Sequence, residues 1–379
     1  MKTIQHVILT LLVLTSVALA GSLPKHESDL KTKSFTVKKG GILQLDTKIG
    51  RVSISTWEKN EVFAQVEGVE KGEDDLLRMT QSGNTIQIEC TVQRKKQSKI
   101  HFVISIPTEF NLDVKTGAGS ITIGEKQSIT GKIKVMTGAG MIDVGKVKGS
   151  IDLHSGGGEI AIDDVQGDAN VTTGGGNIEC ESISADAEIR TGGGNVHIKA
   201  VGMNLKCDVG GGSITVDEVG SSAIVHTGGG NIKLGKVSSD VQMHAGGGNI
   251  QLNGGSGDVH ARTGGGNIHL ENIAGAIQAT TSAGNISCEL QPNEKGRSTL
   301  ATKAGNIELF LPANVKATID AQIRTRFSWK SDAQDIHSDF EPSEKEKGAS
   351  TERFKINGGG HAISLETTIG KISIQKTKK

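Results

Sequence analysis

Between about residues 132 and 290, apolar and polar positions alternate on a fixed period. Ile142, Ile160, Ile178, Val196, Ile214, Ile232, Ile250, Ile268 and Ile286 are separated by 18 residues each time. Two residues after these anchors stand Ile162, Cys180, Ile198, Val216, Leu234, Leu252, Leu270 and Cys288, and three further on Val165, Ile183, Val201, Val219, Val237 and Ile273. Seven before an anchor come Leu153, Val171, Ile189, Cys207, Val225 and Met243, and two before those Ile151, Ala169, Ala187, Leu205, Ala223, Val241 and Val259. The positions between are polar and variable, with Arg190, Asp208, His226, His244 and Arg262 sharing one of them. Alternation with period two predicts strands, one face in a core and one in water. A helical period is absent. Repetition at so short an interval predicts a solenoid in which each repeat is one turn, carrying two or three short strands.

Each anchor ends a recurring phrase, Thr-Gly-Gly-Gly-Asn-Ile in its core form, with looser copies such as Thr116-Gly117-Ala118-Gly119-Ser120-Ile121 on the flanks. The glycines predict a corner with φ > 0, which lacks a Cβ clash. Asn177, Asn195, Asn231, Asn249, Asn267, Asn285 and Asn306 recur at one place in the coil and predict a ladder of stacked amides. At about 4.8 Å per rung, some ten turns predict a rod of roughly 50 Å. The expected fold is all-β: a right-handed single-stranded parallel β-helix (β-solenoid) with 18-residue turns and β-rich terminal caps.

Around the repeats the chain divides into four parts. Residues 1–20 read as a signal peptide: Lys2, an apolar run over 7–14 and Ala18-Leu19-Ala20 as the cleavage site. Residues 21–110 hold less regular alternating runs (42–45, 52–55, 62–66, 86–90, 100–106) that cap or lead into the coil, with a basic hairpin over 93–99. Residues 111–311 are the solenoid. Residues 312–379 form C-terminal strands and a cap: one long strand over 317–329 that includes Phe327 and Trp329, a charged flexible loop at about 331–352, then strands again. The phrase Ile369-Gly370-Lys371-Ile372 echoes Ile49-Gly50-Arg51-Val52, so both ends are expected to use related rungs. Export places the protein in the periplasm, at the cell surface or outside the cell.

Charge and chemistry narrow the picture by exclusion. The 42 basic and 42 acidic residues balance, which argues against nucleic acid as a partner. No second apolar run is long enough for a membrane span. Cys180, Cys207 and Cys288 fall on inward columns and, with Cys90, read as small hydrophobes rather than disulfide partners. His226 and His244 are neighbours on adjacent rungs but lack further ligands, and Arg262 follows them. Asp163, Asp164, Glu179 and Glu181 form an acidic patch on two rungs; Lys199 and Asp217 continue their column in alternating sign. Calcium-binding rolls share the 18-residue turn, but their ligand Asp is missing here. No Phe, Trp or Tyr occurs between residues 111 and 309, so the rod lacks aromatic platforms for sugars. No residue qualifies as catalytic, cofactor-binding or metal-ligating, and no cofactor is expected.

The opening strand around 35–45, the Ile49-Gly50-Arg51-Val52 phrase, Ile104-Ser105-Ile106-Pro107, and Ile356-Asn357-Gly358-Gly359-Gly360 followed by Ile369-Gly370-Lys371-Ile372 resemble the bacterial "putative adhesin" domain family. The resemblance covers nearly all of the mature chain. It implies an exported glycine-rich β-solenoid and brings no catalytic residues with it. The function expected from the sequence is therefore a non-enzymatic adhesin-like or envelope scaffold making weak multivalent contacts along one face. Its partner would be a cell-surface or envelope component, with end-to-end self-association as a further option. The alternative is a polysaccharide lyase or hydrolase of the β-helix type, working through Asp163, Glu179 and Glu181.

Overall fold

A computed structural model of the chain describes residues 30–69, 74–92, 100–124, 127–292, 296–324, 336–345 and 351–377. The expected signal peptide, the 93–99 hairpin, Phe327, Trp329 and parts of the 331–352 loop lie outside the described residues. The protein is an all-β solenoid built from two long sheets of stacked strands. Each regular turn gives one strand to each sheet. Ala187–Thr191 pairs with Leu205–Val209 in one sheet, and Val196–Val201 with Ile214–Val219 in the other, both parallel and 18 residues apart. Among the described residues, a separate third strand occurs only at Ile129–Thr130 and Val147–Lys148.

The inward columns form one continuous core of Ile, Val, Leu, Ala and Cys; Val225, Ile189 and Leu234 are 0% exposed. In Ile178–Ile183, residues 178, 180 and 183 are buried. The three-residue step between the last two is a local bend that turns a third column inward. With sheets about 10 Å apart, aliphatic side chains fill the gap. The fully buried aromatics Phe102, Phe110 and Phe354 sit at the two ends, so the missing aromatics of the repeats reflect a narrow interior as well.

Rungs are fastened to one another along the phrase. A Cβ on Gly228 would lie 2.1 Å from the carbonyl oxygen of Gly210, and one on Gly230 would lie 2.2 Å from that of Gly212. The first and third glycines are therefore required because backbone rests on backbone. No glycine of the seven regular phrases has a left-handed φ, whereas looser flanking copies use it, as at Gly119 (φ 146°) and Gly370 (φ 150°). The corner expected from the sequence is thus corrected: close approach, not φ > 0, selects these residues. The buried hydroxyl of Thr173 donates to the carbonyl of Gly158 on the preceding turn (2.8 Å) and accepts from the N–H of Gly176 (3.3 Å). Thr191, Thr227 and Thr263 repeat the pattern. The Asn ladder exists but takes another form. Each Oδ1 accepts the backbone N–H of the next rung, Asn249 from Asn267 and Asn267 from Asn285 at 2.8 Å each, so it joins side chain to backbone rather than amide to amide. A second ladder of the same kind joins Asp168, Asp186, Asn204 and Ser222 at another corner, and resumes from Asp240 to Asp258.

The stack extends beyond the repeats. Gly41–Ile49 lies between Thr85–Cys90 and Phe110–Ala118, parallel to both. His361–Ile369 lies between Arg297–Ala304 and Ala317–Ile323 in the same way. The strands next to each chain end are thus inserted one turn in from the end of the rod, and the echo between Ile49-Gly50 and Ile369-Gly370 marks these two equivalent rungs. Counted through one sheet among the described residues, fifteen strands follow one another in parallel, about 65–70 Å of rod rather than 50. Antiparallel strands close the ends: Lys31–Thr36 on Glu61–Glu67, Leu77–Ser82 on Thr85–Cys90, and Thr351–Ile356 on Ala317–Ile323. The interval read as a loop carries two short strands, Ile336–Ser338 and Glu344–Lys345.

Two substitutions in one phrase separate close approach from backbone conformation. Gly230→Ala is expected to cost several kcal/mol in urea unfolding, since the new Cβ must push two turns apart. Gly229→Ala, whose Cβ meets nothing nearer than 3.8 Å, is expected to be neutral or stabilising by up to about 1 kcal/mol.

Ala245 interrupts the hydroxyl column between Thr227 and Thr263. Ala245→Thr restores a donor to the Gly230 carbonyl and is expected to add about 1 kcal/mol, read as a higher urea midpoint at unchanged slope.

Candidate functional site

The middle glycine of the phrase stands apart. A Cβ on Gly157, Gly175, Gly211 or Gly247 would meet nothing within 4 Å, and on Gly193, Gly229 or Gly265 only a carbonyl oxygen at 3.8–4.0 Å. All seven are exposed, and none has a left-handed φ. The aligned position in the flanking turns is filled by Ile49, Ala118 and Ala139 on one side, and by Ala283, Ala304 and Ile369 on the other. The edge therefore reads Ile, Ala, Ala, seven Gly, Ala, Ala, Ile, the same from either end. The alanines demonstrate that a side chain fits. Nothing inside the molecule demands glycine across the seven central turns.

Hydrogen bonding changes over the same interval. In the flanking turns the middle carbonyl is used within the stack: Ala118, Ala139, Ala304 and Ile369 accept from a glycine N–H at 2.8–3.0 Å. In five of the seven central turns that glycine N–H bonds instead to its own phrase's hydroxyl, as Gly158 does to Ser155 Oγ at 2.8 Å. Among the described residues the seven middle carbonyls accept no hydrogen bond. The result is a side-chain-free strip of open peptide groups about 30 Å long, six rung intervals, edged on one side by the exposed Asn row.

On its other side runs the column of His154, Thr172, Arg190, Asp208, His226 and His244. Two shallow grooves of about 610 and 520 Å³ lie along it and share Thr172. His226 Nδ1 is 3.4 Å from Asp208 Oδ1, and Arg190 Nε is 3.9 Å from Asp208 Oδ2. The rings of His226 and His244 are 6.1 Å apart and edge-on. Among the described residues, no group of three or more His, Cys, Asp or Glu is arranged to hold a metal ion.

The acidic patch read from the sequence lies on the opposite sheet. Asp163, Glu179 and Glu181 are exposed. Glu181 pairs with Lys199, and Asp164 accepts from Ser182 at 2.7 Å and pairs with Lys146 at 3.3 Å. Those contacts, the serine hydroxyl first, hold the Asp164 carboxyl below its usual range. Neither groove of the glycine edge is lined by these residues, and Glu181 and Asp164 sit in ion pairs along a solvated wall. Cys180, Cys207 and Cys288 are free and buried. Burial raises their thiols, Cys180 to about 12, which suppresses thiolate chemistry.

Residues 205–375 match the family profile described as Toastrack DUF4097. That agrees with the resemblance read from the sequence. No curated protein matches the chain. Among solved structures, a "putative adhesin" from Bacteroides fragilis NCTC 9343 is similar at 15% identity over 69% of this chain and 97% of its own, with a TM-score of 0.28. A "putative adhesin" from Parabacteroides distasonis ATCC 8503 is similar at 12% identity, over 69% and 98% of the two chains, with a TM-score of 0.37. A "putative lipid binding protein" from the same organism covers 93% and 98% at 11% identity, with a TM-score of 0.22.

Proposed function

We propose that the protein is an exported, non-enzymatic, adhesin-like scaffold that makes weak contacts, repeated rung by rung, along its glycine edge. The observation that carries this is the run of seven exposed middle glycines where neither packing nor φ requires glycine. A surface that must approach the backbone closely is the remaining demand for a missing side chain. Equivalent shallow sites about 4.8 Å apart engage together, and linked weak sites gain avidity without one deep pocket. The partner is a cell-surface or envelope component.

The test compares the wild-type chain with the triple variant Gly175→Leu, Gly211→Leu, Gly247→Leu on immobilised cell envelopes. Those positions face open space, so unfolding temperatures are expected to match while retention falls about tenfold. Equal retention would remove the strip from the proposal. Turnover of a polysaccharide by the wild type, lost in Asp163→Ala with Glu181→Ala, would replace the scaffold with an enzyme.

A further inference from the structure

A separate groove lies at another corner of the sheet that contains Ala187–Thr191, between the Asp168 ladder and the outward column of Asp152, Glu188 and Ile224. It encloses about 610 Å³ and passes over Ile151, Ala169, Ala187 and Leu205. Its lining holds four carboxylates against two lysines. Two of the four are balanced locally: Asp152 by Lys134 (3.7 Å) and His154 (2.8 Å), and Glu188 by Lys206 (3.1 Å) and Arg190. Asp168 and Asp186 have no ion-pair partner among the described residues, although they lie on adjacent rungs. At one end of the groove Ile224 is 41% exposed. Exposed large apolar side chains next to uncompensated like charge leave both apolar surface and negative potential without a partner.

We infer that this groove receives an extended peptide segment in which basic and apolar side chains alternate. Ile224, the exposed apolar side chain of the lining, accepts an apolar side chain, and Asp168 and Asp186 attract the basic ones. From Ser150 to Ser222 the groove crosses four rung intervals, about 19 Å, the length of roughly six extended residues, whose side chains alternate in direction. This surface is distinct from the glycine edge and does not depend on the scaffold proposal.

The experiment measures anisotropy of a fluorescein-labelled octapeptide of alternating Lys and Leu, titrated with the whole chain at low salt. Binding is expected, weakening as salt is added. Asp168→Asn with Asp186→Asn is expected to weaken it about tenfold at unchanged unfolding temperature. Asn204 already occupies that ladder and accepts the Ser222 N–H (3.4 Å) and hydroxyl (2.7 Å) through Oδ1, so an amide preserves the ladder while removing the charge. Should that variant fail to fold, Ile224→Gln at an exposed position decides, with a severalfold loss expected. Absence of binding, unchanged affinity in a folded variant, or equal affinity for octalysine would each overturn the inference. Envelope retention through the glycine edge is expected to be unaffected by these changes, so the two surfaces fail or stand separately.

Discussion

The constraint on which the rest of this molecule depends is contact between peptide backbones at the glycine edge. Carbonyl oxygens of Gly156, Gly174, Gly192 and Gly210 occupy the space where a side chain on the next turn would begin, 2.1–2.2 Å from the ideal Cβ. That approach fixes how far each turn rises above the last. Every strand then meets its neighbour in register, and inward columns stack on like columns. Aliphatic residues fill the resulting narrow interior, and an aromatic ring fits only where the end turns depart from it.

Onto this contact the polar residues add cross-links between turns rather than within them. Threonine hydroxyls cap glycine carbonyls, and two Asx ladders take up corner N–H groups that would otherwise be left over. Each bond contributes about 1 kcal/mol, and each couples nearest neighbours alone, so stability accumulates turn by turn as in other solenoids. A one-dimensional stack is weakest at its ends. Here the rungs Gly41–Ile49 and His361–Ile369 are tucked beneath an outer turn, and antiparallel strands cover that turn. Fraying from either end must therefore break pairings made by distant parts of the sequence.

Much of this was legible in the residues. The 18-residue interval gave the turn, and the inward columns from Ile151 to Ile273 are buried as read. The middle glycines were misread because a triplet looks like turn chemistry. Only the stacked structure distinguishes Gly228 and Gly230, pressed against the turn before, from Gly229, which is not. The Asp168–Asp258 ladder is a short polar residue every 18 positions, but its identity varies among Asp, Asn and Ser, a weaker signal than the glycine phrase at the other corner. The inserted end rungs were hinted at only by the echo of Ile49-Gly50 in Ile369-Gly370. Pairing of Gly41–Ile49 with both Thr85–Cys90 and Phe110–Ala118 leaves no local signal, because each strand alternates whichever neighbour it has.

The most direct test of the account is to remove one turn. Deleting residues 214–231 joins Ser213 to Ile232 and takes out one 18-residue period. Deleting 214–230 removes one residue fewer and puts every later side chain on the wrong face. Urea unfolding followed by circular dichroism should show a single cooperative transition with full β signal for the first deletion, at a modestly smaller slope. The second should lose the transition or split it. Equal behaviour of the two deletions would contradict a rod held together by turn-on-turn register.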